Sequence, residues 1–141
     1  MMKLRLPLLL CCVAALALVA ACDSAPARNP RTTQTVVLSP DRAETSVTIQ
    51  LVSAIRIVLP GPEAGTGLSW EIGSNNTQVL DQMSRMTAVP ATGAPGSAAT
   101  TTVSFYALKP GRSVIRFFLV HSNAAETVPV ASCTLKILVE D

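Results

Sequence analysis

Beyond residue 34 the chain is patterned in twos. Ser46–Leu51 places Val47, Ile49 and Leu51 on one side of an extended segment, and Ile55–Leu59 does the same with Ile55, Ile57 and Leu59. Leu68, Trp70 and Ile72 alternate with Ser69 and Glu71. Thr101–Leu108 aligns Val103, Phe105 and Ala107. Ser132–Glu140 sets Cys133, Leu135, Ile137 and Val139 against Thr134, Lys136 and Glu140. A period of two with one apolar face is the mark of a strand that is buried on one side. Ser113–His121 is apolar on both faces apart from Arg116, which predicts a central strand. Thr35–Leu38 reads as a short β-branched strand, and Val79–Met86 as a less regular one with Met83 and Met86 as packing residues. Ser39-Pro40-Asp41 and Lys109-Pro110-Gly111-Arg112 are turn chemistry. About eight short strands separated by turns predict an all-β fold, a β-sandwich.

Counting ends then orders the loops. If each strand crosses the sandwich once, the connections Pro60–Gly67, Pro90–Thr100 and Ser122–Ala131 fall at one end. Gly73–Gln78 and the Pro110-Gly111 turn fall at the other. Three of the longest loops therefore share one end, where sandwiches often build binding surfaces.

The N-terminal part has a different pattern. Lys3 and Arg5 precede an uncharged run from Leu8 to Ala21, the layout of an export signal. The run ends in Val19-Ala20-Ala21-Cys22, which resembles a bacterial lipobox. That resemblance implies cleavage before Cys22 and acylation of its thiol. Residues 1–21 are then a lipoprotein signal peptide, helical in its apolar part. Residues 22–34, with Pro26, Pro30, Arg28 and Arg31, are the lipidated cysteine and a flexible linker. Residues 35–141 form the domain. The lipid places the protein in the cell envelope, on the periplasmic face or at the outer membrane. Asp23, next to the cysteine, does not decide the leaflet. Anchoring by more than one acyl chain is stable because each buried methylene contributes roughly 0.8 kcal/mol.

Composition excludes more than it names. Two of the 11 Lys+Arg lie in the signal, which leaves nine against nine Asp+Glu. A near-neutral domain has no basic footprint for nucleic acid. Only Cys22 and Cys133 follow the signal, so an acylated Cys22 leaves no disulfide partner for Cys133. Cys133 alternates with Leu135 and Ile137 and reads as a buried, inert thiol. With His121 the one histidine, no metal site is expected. No cofactor fingerprint and no nucleophile motif stands in the chain, so an enzyme is not expected.

The loop residues carry a second resemblance. Pro60-Gly61-Pro62-Glu63-Ala64-Gly65-Thr66-Gly67-Leu68-Ser69-Trp70 resembles the chagasin family of cysteine-protease inhibitors. In that family an Asn-Pro-Thr-Thr-Gly-aromatic loop follows a strand, with a Trp two residues after the aromatic. Thr66, Gly67, Ser69 and Trp70 match; Glu63, Ala64 and Gly65 stand where Asn, Pro and Thr are usual, and Leu68 replaces the aromatic. The Gly-rich second loop is matched by Gly93-Ala94-Pro95-Gly96 ahead of Val103-Ser104-Phe105. The third loop usually opens Arg-Pro-Trp; here His121-Ser122-Asn123 stands there. The resemblance spans about Thr35 to Val139.

This resemblance implies an immunoglobulin-like β-sandwich of about seven or eight antiparallel strands that fills the active-site cleft of a papain-like cysteine protease with three loops, without a covalent bond; joined to the lipid expected on Cys22, it is a membrane-anchored monomer. The expected contact residues are Glu63, Ala64, Gly65, Thr66, Gly67 and Leu68, then Gly93, Ala94, Pro95 and Gly96, then His121, Ser122 and Asn123. Trp70 reads as core. The expected aromatic anchors are missing at Leu68 and Asn123, which weakens binding relative to the family. The alternative is a non-inhibitory sandwich that binds another envelope protein.

Overall fold

The computed structural model describes residues 28–63, 65–88, 98–122 and 128–141. They fold into eight strands: β1 Thr33–Val37, β2 Glu44–Gln50, β3 Ala54–Glu63, β4 Leu68–Ser74, β5 Leu80–Ala88, β6 Ala98–Ala107, β7 Gly111–His121 and β8 Ala131–Glu140. They form two four-stranded sheets, ordered β1-β3-β6-β5 and β2-β8-β7-β4. The architecture is the expected all-β, immunoglobulin-like sandwich.

Alternation builds the core. One sheet turns Ile55, Ile57, Leu59, Val103 and Phe105 inward, and the other turns Trp70, Ile115, Phe117, Leu135 and Ile137 inward; all are buried. Full burial of such side chains is worth about 1.5–3 kcal/mol each. Strand β7 lies inside its sheet, between β8 and β4, as its two apolar faces predict. Its outward Phe118 ring lies against Gly73, where any Cβ would collide with it. The β4–β7 register shifts between Ile72 and Ser74, at that glycine.

Three details differ from the sequence reading. The sheets are mixed: β3–β6, β5–β6, β4–β7 and β7–β8 pair antiparallel, but β1–β3 and β2–β8 pair parallel. The cause is connectivity, because β2 lies between β1 and β3 in sequence but belongs to the opposite sheet. Met83 and Met86 are 42% and 65% exposed, so they are not packing residues. Met83 sits at the register shift between Gln82 and Ser84, and Met86 faces outward opposite Thr102 on an edge strand. Finally, β1 begins at Thr33, two residues inside the stretch read as linker, and the chain is already docked ahead of it. Arg31 N–H donates to Val52 C=O (3.0 Å), and Ala54 N–H donates to Thr32 C=O (2.8 Å). The Thr32 and Ser53 hydroxyls meet at 2.8 Å. The expected signal peptide, Cys22 and residues 22–27 lie outside the described residues.

The sandwich thus has two poles. At one lie Thr33, paired with Ala54; the turn from β6 to β7; and the Asn75–Gln78 connection. There Ser113, 2% exposed, donates its hydroxyl to Asn75 Oδ1 (3.0 Å) and accepts Asn76 N–H (3.2 Å). At the other pole β3 ends, β4 begins and β7 ends.

Candidate functional site

The second pole is fixed by strand register. Leu68 opens β4 opposite His121, the last residue of β7. Glu63 closes β3 opposite Ala98, the first residue of β6, and Ala88 at the end of β5 pairs with Thr100. Leu119 of β7 pairs with Ala131, where β8 starts. The connections β3–β4, β5–β6 and β7–β8 therefore all leave from this pole. The described ends of the first and third are also bonded directly. Ser122 N–H donates to Gly67 C=O (2.8 Å), and the Ser122 hydroxyl donates to the Ser69 hydroxyl (3.2 Å).

The loop after β3 is shorter than the Pro60–Gly67 expected from sequence, because β3 continues through Glu63 across a register shift. Its shape comes from within. Gly65 and Gly67 have φ of 85° and 67°, the left-handed region that a side chain disfavours. A Cβ at either would meet nothing within 4 Å, so these glycines serve conformation and leave backbone open to a partner. Thr66 Oγ1 donates to Glu63 C=O (2.8 Å) and accepts Leu68 N–H (3.4 Å). Its hydroxyl therefore closes the loop on itself. Trp70 is 2% exposed, and its Nε1–H donates to Pro60 C=O (3.2 Å). The core residue thus also fixes the base of the loop, a role that alternation alone does not reveal. A Trp two residues after the loop was the available clue.

Glu63, Gly65, Thr66, Gly67, His121 and Ser122 are exposed, and Leu68 is half-buried. Ala64, Gly93, Ala94, Pro95, Gly96 and Asn123 lie outside the described residues. Among the described residues the surface at this pole offers loop backbone, hydroxyls, the Glu63 carboxylate and the His121 imidazole. Among the described residues no three of His, Cys, Asp and Glu gather where a metal could bind. Cys133 is buried at 1% exposure, and burial pushes its thiol up to about 11, which leaves it protonated and unreactive at neutral pH.

Sequence reasoning missed Arg85. On edge strand β5 it crosses to the other sheet, donating to Trp70 C=O and to Glu71, whose Oε2 lies 3.2 Å from Nη1. It links the two sheets beneath the loops. Its place in the alternation pattern gives no hint of that reach.

No protein-family model and no curated protein sequence matches the chain. Solved structures do. The cysteine protease inhibitor EhICP2 of Entamoeba histolytica superposes with a TM-score of 0.65 at 16% identity, over 79% of this chain and 100% of that one. Amebosin gives a TM-score of 0.56 at 23% identity, over 79% and 100%. PbICP-C, solved in complex with falcipain-2, gives 0.59 at 13% identity, over 76% and 99%. At these identities the likeness is one of fold: the chain is built on the same sandwich as EhICP2, amebosin and PbICP-C.

Proposed function

We propose that the chain is a lipid-anchored inhibitor of papain-like cysteine proteases, held in the cell envelope by an acylated Cys22. It acts without chemistry of its own, by pressing the loops of one pole into the protease cleft. The observation that carries this reading is the Ser122 N–H to Gly67 C=O bond, which joins two of the loop stems at the pole where the third emerges. Support from outside the chain is the shared fold with a cysteine protease inhibitor and with a protein solved on falcipain-2. Loops preset on a rigid sandwich lose little entropy on binding. Glycines at 65 and 67 let backbone approach a catalytic centre closely.

The test is inhibition of papain by the lipid-free chain from residue 23. Inhibition at micromolar concentration is expected, and replacing Thr66 and Gly67 together should abolish it while the circular dichroism spectrum keeps its β signature. Absence of inhibition by the folded wild-type domain would shift the reading to an envelope protein that binds a non-protease partner. A pull-down from envelope extract would then identify that partner.

A further inference from the structure

The arm ahead of β1 determines which way the loop pole can face. Strand β1 runs parallel to β3, from Thr33 beside Ala54 toward the end of β3 at Glu63. The N-terminal arm therefore enters at the pole opposite the loops. It is held there twice. The inner hold is backbone: Arg31 N–H to Val52 C=O (3.0 Å), and Ala54 N–H to Thr32 C=O (2.8 Å). The outer hold is Arg28, whose Nη1 lies 2.6 Å from Asp81 Oδ2 and whose guanidinium stands 5.5 Å from the Tyr106 ring centroid. Asp81 and Tyr106 are partners across β5 and β6, so Arg28 grips two strands of one sheet.

Chain length makes the outer hold decisive. From Gly111 at the entry pole to His121 at the loop pole, β7 covers about 33 Å at the rise of a strand. From Cys22 to Arg28 the chain can span at most about 20 Å. From Cys22 to Arg31 it can span about 30 Å. With Arg28 engaged, the leash is shorter than the domain, and the domain cannot turn over to bring its loops to the bilayer. With Arg28 released, the leash comes within a few ångströms of the domain's length, and the domain can tip its loops much further toward the bilayer.

We propose that Arg28, gripping Asp81 and Tyr106, is a clamp that shortens the membrane leash and holds the Gly65–Gly67 pole facing away from the bilayer, toward a soluble protease. This rests on the tethered-inhibitor reading above. Both clamp side chains are partly exposed, Arg28 at 39% and Asp81 at 50%, so salt weakens the grip.

The experiment uses the full chain, purified with its lipid and placed in phosphatidylcholine vesicles whose headgroups carry a quencher. A dye is attached to Lys109→Cys at the entry pole or, in a separate protein, to Val130→Cys beside the loop pole. Cys133 is too buried to take the label. The dye at 109 should be quenched severalfold more than the dye at 130. Arg28→Ala should clearly narrow that contrast, with papain inhibition by the lipid-free Arg28→Ala chain unchanged. Equal quenching with Arg28 intact, or a contrast indifferent to Arg28→Ala, overturns the clamp. Failure of the underlying reading is visible separately: mass spectrometry would find no acyl group on Cys22, or the lipid-free chain would not inhibit papain.

Discussion

The two poles of the sandwich are made by different means. The entry pole adds a side-chain network to its main-chain bonds: Ser113 with Asn75 and Asn76, Thr32 with Ser53, and Arg28 with Asp81. Among its described residues the loop pole takes its shape from backbone conformation and short hydroxyls: left-handed glycines at 65 and 67, a Ser122 to Gly67 main-chain bond, a Thr66 hydroxyl turned back onto its own loop and a Ser122 hydroxyl on Ser69. A side-chain network specifies one arrangement and occupies its polar groups in doing so. A backbone-shaped loop is also preset, but it leaves its outer surface unspent for a partner.

That contrast can be broken by substitution. The largest effect is expected from Trp70→Ala. It opens a cavity in the core and removes the Nε1–H bond to Pro60, and should cost about 3–5 kcal/mol in chemical denaturation. Next is the alkaline limb set by Cys133. The folded thiol titrates at about 11, above its ordinary 9.0, so the folded state holds its proton where the unfolded chain releases it. The contribution is complete below pH 9.0 and is lost as pH rises to about 11, on the order of 3 kcal/mol. Cys133→Val should lack that loss when the two unfolding curves are compared across the range. Ser113→Ala leaves the Asn75 and Asn76 groups without their partner and should cost about 2 kcal/mol while papain inhibition stays unchanged. Gly67→Ala should show the reverse pattern. Placing a Cβ at φ 67° costs about 1 kcal/mol, read in the same denaturation, yet inhibition should fall sharply.

The strands were legible because burial on one side leaves a local period of two. Ile55, Ile57 and Leu59 announce β3 without reference to any partner. Pairing sense left no such trace: β2 bonds β8 in parallel, Val47 beside Ile137, across most of the domain's length. The clustering of loop stems followed from parity, since each strand does cross once. What parity could not supply is the hydrogen bonding within the β3–β4 connection, such as Thr66 to Glu63. Long side chains were the least legible. Arg28 lay in a stretch whose composition reads as linker, and Arg85 on a strand where period assigns a face but not a reach.

Arg85 has one more consequence. Strands β4 and β5 are both at sheet edges, where unsatisfied main-chain groups invite a second molecule to add a strand. The Arg85 guanidinium occupies the Trp70 carbonyl and brings a charge onto that border. On the anchored reading proposed above, copies confined to one membrane surface would meet edge to edge far more often than copies in solution. An arginine across the open border is then a guard against the protein's self-association.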